Sequence, residues 1–171
     1  SDPSLPIQES SYDLGFTETF GFALSQDEKV LYIFGFSLNG TKQLQVLDIS
    51  RTESPKLLSS IDLNQKTSPT NTVELSPDGR ILYLGFTNGM LMIDVQIPAQ
   101  PALFGYNYFE NEKQALKFTQ DGKFFYAVSA AGVKAFDITS QYIFFMRYTD
   151  FKIGGSYPVP LEVLELNKNL K

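Results

Sequence analysis

Apolar residues along this chain come in runs of four to seven, and the runs recur in a fixed order. "VLYIFGF" at 30–36, "ILYLGF" at 81–86 and "FFYAVS" at 124–129 are rich in β-branched and aromatic residues and are bounded by turn residues, which predicts strands. A second set, "QLQVLDI" at 43–49, "LMIDV" at 91–95 and "VKAFDI" at 133–138, follows across the hairpin-like connections "SLNGTK", "TNG" and "SAAG". Each Tyr-centred run is preceded by "FGFAL", "TVEL" or "ALKF", joined to it through "SQDEK", "SPDGR" or "TQDGK". Asp-Gly in two of these three joints is a strong hairpin signal. A fourth run follows each terminal Asp: "PKLLSSIDL", "PALFGYNYF" and "YIFFMRYTDF". No window holds a 3.6-residue apolar stripe over three turns, so the expected class is all-β without helix.

The copies keep register. Tyr32, Tyr83 and Tyr126 are 51 and 43 residues apart, and Asp48, Asp94 and Asp137 are 46 and 43 apart. Periods of this length point to a propeller, solenoid or array, and four antiparallel strands per copy is the blade of a β-propeller. Residues 1–15 align with 50–64 and read as the outer strand of a preceding blade. Residues 16–66, 67–110 and 111–154 read as three complete blades, and 155–171 as the inner strand of a following blade. Closed propellers usually need about four to eight blades. The two open ends are therefore expected to be covered by further blades of a longer parent protein, or by other chains in a homo-oligomer or filament.

Composition narrows the chemistry. With 43% hydrophobic and 14% aromatic residues, the 171-residue chain can bury a core. Its net charge of -5, with basic residues scattered singly, argues against a nucleic-acid surface. No apolar stretch approaches the 18 residues of a membrane span, and the first residues lack the charged start and apolar centre of a signal peptide. The chain has no Cys and no His, which removes thiolate nucleophiles, Ser-His-Asp triads and nearly all transition-metal sites. Carboxylate, hydroxyl, Lys and Tyr chemistry remain, and no cofactor is expected.

"LQVLDISRTESPKLLSSIDL" at 44–63 resembles the LVIVD-repeat family of β-propellers, whose repeats carry an apolar strand ending in Asp-Val/Ile-Ser, a Pro-containing loop and a final strand. The second copy, "IDVQIPAQPAL", keeps the prolines and replaces the Ser; the third loses the Pro-containing loop. The resemblance implies propellers of surface and secreted proteins, often parts of very long chains.

Candidate site residues each have a plain structural role beside a functional one. Asp48, Asp94 and Asp137 are expected to accept backbone N–H bonds in the turns after their strands. A calcium site would need six or more oxygens converging, and the three carboxylates belong to separate blades. Glu74, Lys117 and Glu165 occupy matching positions of successive innermost strands, with Ala23 at the same place in the first copy. They form either a charge ladder along the central channel or a set of side chains reaching channel water; a catalytic carboxylate pair is a third reading. Tyr32, Tyr83 and Tyr126 read as packing residues. The aromatic segment "YIFFMRY" at 142–148 reads as an outer strand able to recruit a partner. Asn39-Gly40-Thr41 is the only N-glycosylation sequon and lies in an expected loop.

Three functional classes are consistent with this pattern. The leading expectation is a non-catalytic structural or adhesive module of a large surface, matrix or filament protein, outside the cell, acting through protein or glycan contacts. The alternative is a ligand-binding propeller holding a sugar or peptide, with Asn88, Asn107 and Tyr108 as contacts. A carboxylate-based propeller enzyme is third, because the connections are short and enzymes on such scaffolds need elaborated loops.

Overall fold

The computed structural model describes residues 7–63, 68–87, 89–108, 115–129 and 132–137. Among these, β-strands are the only regular elements. The first sheet holds β1 (Phe16–Leu24), β2 (Val30–Ser37), β3 (Lys42–Asp48) and β4 (Lys56–Leu63). The second holds β5 (Pro69–Leu75), β6 (Ile81–Phe86), β7 (Gly89–Asp94) and β8 (Ala102–Tyr108). The third holds β9 (Ala115–Phe118), β10 (Phe124–Ser129) and β11 (Gly132–Asp137). Neighbours in sequence are neighbours in each sheet and run antiparallel. The fourth strand expected from 142 onward and the inner strand expected at 155–171 lie outside the described residues.

The sheets stack face to face. Because side chains alternate across a strand, β2 sends Tyr32 and Phe34 towards the second sheet, which answers with Leu82, Leu84 and Phe86 of β6. Leu44, Val46, Val73, Leu91 and Ile93 complete this core, and the rings of Phe34 and Phe86 lie 5.7 Å apart. Burying a large apolar side chain stabilises by about 1.5–3 kcal/mol, so this double-sided pattern holds successive sheets together. The opposite face of β6 turns Tyr83 to the third sheet, with Met90, Met92 and Phe125; Tyr83 and Phe118 rings stand 4.8 Å apart. Tyr32 and Tyr83 are buried as expected, whereas Tyr126, on the far face of the third sheet, is 40% exposed.

Backbones of successive sheets come closest along their first strands, β1 to β5 and β5 to β9. The sheets therefore splay outward from an inner edge. Gly21 permits the approach: a Cβ there would stand 3.1 Å from Val73 Cγ2. β1 and β5 also carry bulges, and Gly35 and Gly85 face the bulged segments. A Cβ on Gly35 would meet the Glu18 carbonyl, and one on Gly85 the Thr70 hydroxyl, which explains a glycine inside otherwise bulky runs.

Residues 1–15 are expected as the outer strand of a preceding blade, whose sheet is not among the described residues. Residues 7–15 themselves form no strand here, and a strand needs a sheet edge to pair with. This segment instead crosses the first sheet, where the Leu14 carbonyl accepts from Gln45 Nε2 at 2.8 Å and the Gly15 carbonyl accepts from the Leu38 N–H.

Candidate functional site

The joints between first and second strands form one repeated device. Ser25 Oγ donates to Asp27 Oδ1 at 2.7 Å and accepts from the N–H groups of Lys29 and Val30. Ser76, Asp78, Arg80 and Ile81 repeat these bonds, as do Thr119, Asp121, Lys123 and Phe124, apart from a bond between the Lys123 N–H and Thr119. The fourth residue is left-handed each time: Glu28 at φ 57°, Gly79 at 73° and Gly122 at 68°. The turn is thus a tight i to i+3 turn whose last residue is left-handed, rather than the two-residue Asp-Gly tip. The bond from the Ser25 hydroxyl, then that from the Lys29 N–H, hold the Asp27 carboxyl below its ordinary value. The Thr119 hydroxyl and Lys123 N–H do the same to Asp121. The hydroxyl's role went unread in the sequence, although Ser/Thr-x-Asp spelled three times in register carried the signal.

Adjacent turns touch at one end of the stack. Gln26 Nε2 donates to the Pro77 carbonyl, and Gly122 sits beside Pro77. Asp48 and Asp94 lie at this end, paired in register with Val30 and Ile81. Asp48 Oδ1 accepts the Ser50 N–H and Asp94 Oδ1 the Gln96 N–H, each at 2.9 Å. Ser50, first through its hydroxyl and then its N–H, lowers the Asp48 pKa. Asp137 closes β11 opposite Phe124; its side chain lies outside the described residues. Among the described residues no group of three or more acidic side chains converges on a metal-sized point.

The inner edge brings two sequence candidates together. Glu74 on β5 pairs in register with Tyr83, and Lys117 on β9 with Tyr126. Lys117 Nζ reaches Glu74 Oε1 at 2.7 Å across the sheets. The Lys117 side chain is 77% exposed and Glu74's 21%. Ala23 holds the matching position of β1, opposite Tyr32. Glu165 lies outside the described residues. Beside the pair is a cavity of about 400 Å³, bordered by Phe22, Asn71, Thr72, Val73 and Glu74.

The opposite end carries the loop sites. Asn39 is exposed in the β2–β3 turn, and its Oδ1 accepts from the Thr41 hydroxyl at 2.9 Å and from the Ser37 hydroxyl. Asn107 and Tyr108 end β8, their side chains outside the described residues, as are Asn88 and the segment at 142–148. At the outer edge, a register shift in each of the first two sheets leaves one extra residue, Leu58 in β4 and Phe104 in β8. Such bulges blunt an edge against strand addition.

No family profile and no curated protein matches the chain in sequence. Solved structures do match in shape. A candidate 6-phosphogluconolactonase from Bacteroides fragilis aligns over 68% of this chain and 33% of its own, at 15% identity and a TM-score of 0.55. A Lactobacillus plantarum protein aligns over 70% and 37%, at 16% identity and 0.54. Hydrazine synthase of Kuenenia stuttgartiensis aligns over 78% and 36%, at 20% identity and 0.53. These are propeller-like proteins, so the fold is all-β, of the propeller type, built from antiparallel four-stranded sheets. The chain spans about a third of the length of the solved structures it matches. At these identities the likeness concerns fold alone, and chemistry rests on the site. The LVIVD likeness rests on the motif at 44–63.

Proposed function

We propose that the chain is a non-catalytic interaction module of the LVIVD-repeat kind, working outside the cell in a large surface, matrix or filament protein. The carrying observation is the contact between sheets. The Tyr-bearing face of one sheet meets the opposite face of the next, a head-to-tail joint repeated twice. Among the described residues, the faces left unmatched keep apolar residues exposed: Phe22 and Leu24 on the first sheet, at 67% and 44%, and Tyr126 and Val128 on the third. Head-to-tail surfaces of this sort close rings or extend filaments, so the partner is a further blade of the same parent or of another copy. The absence of His and Cys from the sequence and the use of carboxylates as turn acceptors support a binding role over a catalytic one.

Native mass by light scattering, with particle shape by electron microscopy, tests this on the intact chain. Association that rises with concentration and is abolished by Leu24→Glu or Val128→Glu is expected. A monomer at every concentration, unaffected by these changes, would overturn the reading. The extracellular assignment predicts that secretion from a eukaryotic host adds a glycan at Asn39, seen as a mass difference removed by Asn39→Gln.

A further inference from the structure

Residues 7–15 are an unpaired stretch held in a seat that the repeat defines. We propose that this segment is the fourth strand of a sheet begun by a second copy of the chain, where it pairs with β11 of that copy. This exchange rests on the head-to-tail joint proposed above and adds the strand that crosses it. One repeated contact marks the seat. Ser59 Oγ on β4 donates to the Pro98 carbonyl at 2.7 Å, which anchors the outer strand of the first sheet on the loop after β7. Ser10 Oγ donates to the Thr52 carbonyl, in the loop after β3. Ser10 matches Ser59 in the alignment of 1–15 with 50–64, and Thr52 and Pro98 each lie four residues past their strand's terminal Asp. Segment 7–15 therefore sits on the first sheet as β4 sits on the second, and Gln45 Nε2 holds its other end through the Leu14 carbonyl at 2.8 Å. Pro6 precedes Ile7 as Pro55 precedes Lys56 and Pro101 precedes Ala102.

Both edges of this pairing are open. Among the described residues, 7–13 make no backbone-to-backbone hydrogen bond, so their N–H and carbonyl groups are those of an unfilled strand edge. β11 pairs with β10 without a register shift, and among the described residues its other edge carries no strand, whereas β3 and β7 each carry a fourth. Val133 on β11 is 66% exposed, while its counterparts Leu44 and Met90 are buried. In the first two copies a Pro-containing loop joins the terminal Asp to the fourth strand. After Asp137 that loop is missing and the next apolar run begins at Tyr142, outside the described residues. Residues 1–15 spell the missing loop and strand. Three sheets are fewer than the about four to eight that close a ring, so the β11 that meets 7–15 belongs to another copy. The same docking lays the exposed Tyr126 and Val128 face of one copy on the exposed Phe22 and Leu24 face of the other. The pairing of β3 with β4 sets the register: Ser10 opposite Ala135 as Ser59 opposes Val46, and Tyr12 opposite Val133 as Ile61 opposes Leu44.

The chain has no Cys, so single-cysteine variants report the pairing directly. Tyr12→Cys and Val133→Cys, both at exposed positions, are mixed in equal amounts and oxidised while light scattering follows association. Each variant holds one cysteine, so any link joins two copies. A disulfide between the two variants is expected, in excess over either variant linked to itself, with the joined peptides identified by mass. Ser10→Cys mixed with Ala135→Cys should repeat the result, and it carries the test if the first pair fails to fold. Ser11→Cys points to the opposite face of the strand and should link to Val133→Cys about tenfold less. Association without either link, or a Ser11 link as strong as the Tyr12 link, would overturn the strand exchange and leave the head-to-tail joint standing. A monomer at every concentration would overturn both.

Discussion

Glu28 occupies a backbone position that its two counterparts give to glycine, and removing its side chain should stabilise the protein. Its φ of 57° matches Gly79 at 73° and Gly122 at 68°, so the three turns form an internal series at nearly constant geometry. A Cβ in the left-handed region costs about 1–2 kcal/mol, and the greater freedom of glycine in the unfolded chain offsets about 0.4–1 kcal/mol of any gain. Glu28 is exposed, so little packing is lost, and Glu28→Gly should gain about 0.5–1 kcal/mol. The reciprocal change is cleaner. A Cβ on Gly79 would meet nothing within 4 Å, so Gly79→Ala should cost about 0.5–1.5 kcal/mol from backbone strain alone. At Gly122 the same atom would stand 3.3 Å from Pro77 Cβ, so Gly122→Ala should cost more than Gly79→Ala. Urea unfolding with an unchanged m-value reads each difference as a shift in midpoint. A Glu28→Gly variant that is neutral or less stable, or a neutral Gly79→Ala, would refute the argument that this turn selects glycine through its backbone.

Gly85→Ala should cost about 1–3 kcal/mol, because its Cβ would collide with Thr70 and Thr72 on the bulged strand; thermal melting unchanged from the parent would contradict that packing. Lys117→Met, which removes an ion pair open to solvent, should lower stability by at most about 1 kcal/mol, with the difference shrinking at high salt; a larger or salt-independent loss would show that the pair does more than this. Asp27, Asp48 and Asp121 have folded pKa values depressed below 3.8, so their stabilisation is complete above that value and is lost as pH falls through the lower folded values. Carboxyl NMR should find all three titrating below 3.8, and any of them titrating higher would count against the turn bonds. Burial pushes Tyr83 up to about 12, helped by the Asp78 charge, so its contribution persists below pH 10 and disappears between 10 and 12. Phenolate absorbance should show a late-titrating tyrosine that Tyr83→Phe removes.

Strand order was legible because each blade is built from neighbours in sequence. Turn residues mark every hairpin, and apolar runs on both faces announce a strand sandwiched between sheets. The repeat placed Asp48 and Asp94 at equivalent ends of their sheets, where each accepts an N–H two residues on. Local chemistry of this kind acts over two to five residues, so sequence alone determined it. Contacts between blades were settled only by the tertiary structure. Glu74 and Lys117 are 43 residues apart, and whether their side chains meet depends on how closely β5 and β9 approach. The cavity beside them depends on bulges that shift register within β1 and β5, and no residue pattern announced those. The segment at 7–15 shows the same limit: its sequence copies an outer strand, but a strand exists only where a sheet edge is present to pair with it.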